Sequence, residues 1–245
     1  MKTSNIVVGA FMLMATQGCR YLNEKPKDAH LTVIVDLTDT LTIVSEFELQ
    51  HIKDMLPDTG NDKQGVVVTL SKITDTRYTQ SFTEVLASHS EMGLDDYGRV
   101  SEVKDFFDAI EKDIAKIKKN NGELKQSYVF HALFEALNDL SCVKDAGRKQ
   151  LVILSDLGEN SPFFSVYKKK DFALLTKEPD KLKEKIQQEY PLEHSLKGIN
   201  VFFIHQTGIH DDVTFHEMAT LLQEYLEEHG AHVEIASSFD EIKNH

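Results

Sequence analysis

Residues 31–41 read Leu31-Thr32-Val33-Ile34-Val35-Asp36-Leu37-Thr38-Asp39-Thr40-Leu41, an apolar run that stops at a carboxylate followed by hydroxyls at alternate positions. Aliphatic and β-branched residues without polar alternation are what a strand covered on both faces requires. Four other runs share this character: Val66 to Leu70, Leu151 to Ser155, Ile199 to Ile204 and His232 to Ala236. Between them, apolar residues recur at helical spacing. Val103, Phe106, Phe107, Ile110, Ile114 and Ile117 fall on one face, as do Phe130, Leu133, Phe134, Leu137 and Leu140, and later Phe215, Met218, Leu222 and Tyr225. Strands alternating with helices predict an α/β fold: a doubly wound, mainly parallel sheet with helices on both faces. The alternating stretch Arg77 to Phe82 predicts one antiparallel edge strand beside Val66 to Leu70.

Composition narrows the function. The chain has 245 residues, 41% hydrophobic and 27% charged, with 5 Pro and 12 Gly, so it is an ordinary globular sequence able to bury a sizeable core. Forty acidic residues against 27 basic ones give a net charge of −13, which argues against a nucleic-acid surface, where clustered cations must meet phosphates. The run Lys168 to Lys170 is too short to alter that.

The first residues read as an export signal. Met1-Lys2 is cationic, Ile6 to Ala15 is apolar or small, and Gly18-Cys19 stands where a signal peptidase would cut. Ten apolar residues fall short of the about 20 that a membrane-spanning helix needs. The Gly-Cys junction resembles that of bacterial lipoproteins, with Thr16 where Leu is usual. The resemblance implies cleavage before Cys19 and lipid on its thiol, giving an exported, membrane-anchored protein of the cell envelope, periplasmic or at the cell surface. The expected organisation is a signal peptide over 1–18, a polar tether over 19–29 and a single domain over 30–245. Cys142, the other cysteine, closes an amphipathic segment and is expected to be a buried structural thiol.

In an open parallel sheet, ligands bind beyond the carboxyl ends of the strands. Asp36 follows the first strand, with Thr38 and Thr40 at alternate positions that an extended turn can direct to one side. Asp156 follows Leu151 to Ser155. Carboxylates and hydroxyls form a hard oxygen set suited to Mg²⁺.

Here the chain resembles the von Willebrand factor A domain family over roughly residues 30 to 245. Asp36, Thr38 and Thr40 match the Asp-x-Ser-x-Ser element of that family's metal-ion-dependent adhesion site, with Thr in both Ser places. Ser127, five residues before Ala132-Leu133, matches the family's Thr element, and Ser155-Asp156-Leu157-Gly158 matches its last, Ser-Asp-Gly-like element. Ile199 to Ile204 and then Glu217 to Ile242, ending Ser237-Ser238-Phe239-Asp240-Glu241-Ile242, resemble the family's closing strand, helix, strand and helix. The resemblance implies that Asp36, Thr38, Thr40, Ser127 and Asp156 hold Mg²⁺, or Mn²⁺ in its place. It also implies a binding protein rather than an enzyme, with an acidic side chain of a protein partner completing the metal's coordination. A metal-free scaffold in an envelope complex is the alternative within the same fold.

An inserted segment at about 159–197, longer than a usual αβ connection even with a helix near 178–189, begins with Pro162, Phe163, Phe164 and Tyr167. Phe163, Phe164 and Tyr167 are expected to form an aromatic partner-binding rim beside Asp156, with packing of the insert as the competing expectation. A different chemistry shares the first strand end. Val33 to Leu41 also resembles the first motif of haloacid-dehalogenase-like Mg²⁺-dependent phosphohydrolases, which would make Asp36 a nucleophile, Ser155 a second-motif hydroxyl and Asp211-Asp212 the late acidic pair. Against it, Thr38 replaces the usual second Asp and no Lys is placed for the third motif. His216-Glu217 lacks the second His of a zinc protease helix, since Thr220 stands there.

Overall fold

The computed structural model describes residues 28–37, 47–73, 77, 80–89, 96–119, 126–205 and 212–242. Cys19, the signal segment and tether up to residue 27, Thr38, Thr40 and Asp211 lie outside these described residues.

Six strands form one sheet: β1 (Ala29–Asp36), β2 (Val66–Ile73), β3 (Gln80–Leu86), β4 (Arg148–Ser155), β5 (Ile199–His205) and β6 (His232–Ala236), in the order β3-β2-β1-β4-β5-β6. Every pairing is parallel except β2 with β3. The helices are α1 (Leu49–Met55), α2 (Asp96–Lys118), α3 (Val129–Cys142), α4 (Lys169–Lys177), α5 (Pro179–Glu189) and α6 (Asp212–Glu228), with a 3-10 turn at Phe239–Ile242. The expected doubly wound α/β fold is therefore present.

Alternation along each strand divides the core into two layers. Ile34, Ile153, Val201 and Phe203 point to the face covered by α3, α6 and the inserted α4 and α5. Val33, Val35, Val152, Leu154 and Phe202 point to the face covered by α1, α2 and the 3-10 turn. With both faces covered, the central strands tolerate almost no polar residue until their carboxyl ends. The edge strand overlaps the expected stretch over Gln80 to Phe82 and continues to Leu86, because Phe82, Glu84 and Leu86 keep the inward alternation while Thr83 and Ser81 turn outward to hydroxyl pairs with Thr69 and Ser71.

Cys142 is exposed, not buried. It lies two residues, or about 200°, beyond Leu140 on α3, which carries it away from the stripe formed by Phe130, Leu133, Phe134, Leu137 and Leu140. Among the described residues, no helix is long and apolar enough to cross a membrane.

Candidate functional site

The strand order changes direction between β1 and β4, so the crevice at their carboxyl ends is where an α/β sheet presents a ligand site. Asp36 ends β1 there, fully buried. Two hydroxyls converge on one of its oxygens: Ser155 Oγ donates to Asp36 Oδ2 at 2.7 Å and Ser127 Oγ at 3.3 Å. Ser155 in turn accepts the Leu157 amide at 2.9 Å. Asp156, also buried, accepts the Gly158 amide on Oδ1 at 2.8 Å. The structure thus joins Ser127 to Asp36 and seats Asp156 next to Ser155, while Thr38 and Thr40 lie outside the described residues.

The loop after β4 is built to hold this arrangement. Leu157 takes φ 58°, a left-handed conformation that costs a leucine about 1–3 kcal/mol. Full burial of its side chain in the α3 layer offsets that cost. Gly158 leaves room for its neighbours: a Cβ there would stand 2.8 Å from Asp156 Oδ1 and 2.9 Å from the Tyr167 hydroxyl, so one of those side chains would have to shift. The loop then pairs with the segment before α3, the Asn160 amide donating to the Ser127 carbonyl at 2.9 Å and the Ser127 amide to the Asn160 carbonyl at 3.2 Å. Asn160 is fixed by the Ser165 hydroxyl at 2.8 Å. Ser127 therefore owes its position to the inserted segment, which the sequence pattern does not disclose.

Glu159 is a buried carboxylate of this crevice that the sequence does not single out. It is fully buried, and its Oε2 accepts the Phe130 amide at 2.8 Å, in the first turn of α3. Burial pushes its carboxyl up to about 7; the Ser161 hydroxyl and the Phe130 amide hold it down, the Asp36 charge raises it further, and the Val129 amide lowers it. The available signal was the start of α3: Tyr128 occupies the N-cap and supplies no side-chain cap, so a remote acceptor was needed for the helix's free amides.

The aromatic rim is corrected in part. Phe164 is 1% exposed, with its ring 5.9 Å from that of Phe130, and the half-buried Phe163 stands edge-on to Tyr190 at 5.4 Å and to Phe130 at 6.1 Å. Both rings pack the insert onto α3, because burial on an apolar helix face outweighs leaving large rings in water. Tyr167 alone of the three is exposed, at 49%, with its hydroxyl over Gly158 beside the Asp156 carboxylate.

Asp36 thus meets the Ser127 and Ser155 hydroxyls and feels the charge of Glu159, and Asp156, a third buried carboxylate, follows Ser155 at the end of β4. Burying several anions together is costly without protons or a cation to offset them. All the side-chain donors are oxygens, so the residues present fit Mg²⁺ or Mn²⁺.

No family model matches the chain, and no curated protein matches it. Among solved structures, it is similar to the pilus adhesin SpaC from Lactobacillus rhamnosus GG in an open conformation, with TM-score 0.44 and 10% identity over 90% of this chain and 29% of the adhesin. A second crystal structure of the same adhesin gives TM-score 0.44 and 10% identity over 91% of this chain and 29% of that one. The chain thus spans less than a third of the adhesin's length.

Proposed function

We propose that this is a binding protein of the von Willebrand factor A type that engages a protein partner through a divalent cation at Asp36. The observation that carries this reading is the convergence of the Ser127 and Ser155 hydroxyls on the buried Asp36 at the β1–β4 switch point, with Asp156 beside them. Asp36, Ser127 and Asp156, with Thr38 and Thr40, would hold Mg²⁺ or Mn²⁺, and the bound cation would supply the positive charge that attracts a partner's carboxylate. An acidic protein of net charge −13 could thereby recognise an acidic side chain that its own field would otherwise repel. Tyr167, exposed beside Asp156, would touch that partner at the rim. In this reading the protein is not an enzyme. Its export signal and a lipid on Cys19 would hold the domain at an envelope membrane, since several acyl chains on one residue anchor stably where one does not.

Two measurements test this. A glutamate-bearing peptide ligand selected on the Mg²⁺-loaded protein should bind only with the cation present and lose affinity in Asp36→Ala, while a generic phosphomonoester is not turned over. Turnover that depends on Asp36 would move the protein to the phosphohydrolases. Mass spectrometry of the mature chain should show acyl mass on Cys19, and an unmodified thiol would remove the anchor.

A further inference from the structure

A second cluster lies at the other end of α3, away from Asp36. We propose that Cys142, Glu193 and His194 form an independent metal site selective for a thiophilic divalent cation of the zinc class. Cys142 is the last residue of α3, and Glu193 and His194 stand in the segment between α5 and β5. The fold nevertheless brings one sulfur, one imidazole nitrogen and one carboxylate oxygen within 4.8 Å of one another.

The two backbones that carry these groups are fastened together. Asn138, one helical turn before Cys142, uses both ends of its amide: Nδ2 donates to the Pro191 carbonyl at 3.1 Å, and Oδ1 accepts the Glu193 amide at 3.0 Å. The segment is held from below as well, with Tyr190 and Leu196 buried and Leu192 packed against the core on either side of Glu193 and His194. The ligand-bearing side chains are exposed, but the backbones they project from are fixed, which limits the order that a metal must impose.

The donor set selects the cation. Thiolate, imidazole and carboxylate together suit Zn²⁺, whereas Mg²⁺ and Ca²⁺ are held by oxygens. Three protein ligands leave a fourth tetrahedral position, which opens to solvent here and would take water or a group from another molecule. The 14 residues of α3 separate this cluster from the Ser127 end by about 20 Å, and no ligand is shared. Binding removes the thiol proton, so affinity rises with pH.

The test uses the full chain under reducing conditions with Mg²⁺ present throughout, and Co²⁺ as the probe. One equivalent should produce the near-ultraviolet thiolate-to-cobalt charge-transfer band, which oxygen ligands cannot give. The band should persist in Cys19→Ser and in Asp36→Ala, vanish in Cys142→Ser, weaken at least tenfold in affinity in His194→Ala and Glu193→Gln, and be displaced by Zn²⁺ but not by Mg²⁺. Because all three side chains are exposed, these variants should keep the wild-type circular dichroism spectrum. Absence of the band in the wild type, its survival in Cys142→Ser, or indifference to His194→Ala would overturn the proposal.

Discussion

The two ends of α3 handle charge in opposite ways. At its N-terminus, the Glu159 carboxylate caps the helix from a distant loop, and Asp36, Ser127, Ser155 and Asp156 gather around that end, all buried. At its C-terminus, Cys142, Glu193 and His194 converge in the open, each exposed to solvent. Burial is the difference that matters. Carboxylates withdrawn from water must be protonated or matched by a cation, so the first end is tuned by pH and metal, whereas the second is energetically silent until a ligand arrives.

The contrast can be broken most forcefully at the aromatic junction. Phe130 is fully buried and its ring lies within 6.5 Å of the Phe134, Phe163, Phe164 and Tyr190 centroids, so Phe130→Ala should cost about 3–5 kcal/mol in urea unfolding and loosen the inserted segment. A loss below about 1 kcal/mol would mean that the insert packs independently of α3.

Next in size is the pH response of Glu159. Its carboxyl titrates near 7 in the folded chain against an ordinary 4.5. Below the ordinary value it is protonated in both states and costs nothing. Between the two values only the unfolded chain ionises, so stability falls as pH rises, and above the folded value the whole cost, on the order of 3 kcal/mol, is present. Glu159→Gln keeps an acceptor for the Phe130 amide without the charge. In chelator, the variant should be indistinguishable in charge-linked stability from wild type in acid and more stable by that amount in mild base. A difference that stays constant across this range would show that Glu159 does not titrate on folding.

Gly158→Ala sharpens the comparison at the site itself. The added methyl group displaces the Asp156 carboxylate or the Tyr167 hydroxyl, so Mg²⁺ affinity should fall about tenfold, or about 1.4 kcal/mol, by calorimetry. Unchanged affinity would mean that the Tyr167 hydroxyl gives way instead of the Asp156 carboxylate, and Asp156→Asn, which should lower the affinity at least as much, then tests the ligand itself. The smallest effect belongs to the silent end: Cys142→Ser should alter unfolding free energy by no more than about 0.5 kcal/mol in metal-free buffer, as expected of an exposed position.

How much of this was readable in advance follows from what one-dimensional patterns record. The five parallel strands and the stripes of α2, α3 and α6 were visible because a doubly covered sheet and an amphipathic helix impose a period on the chain. Asp36 and Asp156 were visible because position after a strand already implies the crevice. The fate of Phe163 and Phe164 was not, since an apolar residue beyond a strand end can face a partner or a helix, and only the proximity of Phe130 and Tyr190 decides. Cys142 was misjudged by treating the stripe as continuing to the end of the helix, when its angular position already turned it outward. Glu159 was one acid among 40 acidic residues, and its role depends on a helix start 29 residues earlier in the chain. The Asn160–Ser127 bridge is of the same kind: no local sequence signal marks a two-residue pairing between loops.

The most direct measurement is calorimetric titration of Mg²⁺, and separately Mn²⁺, into the wild-type protein and into Asp36→Ala, with circular dichroism confirming that both are folded. One binding event in the wild type that is lost in the variant is the predicted result. No binding by the wild type, or wild-type affinity in a folded Asp36→Ala protein, would contradict a cation-dependent site at the end of β1.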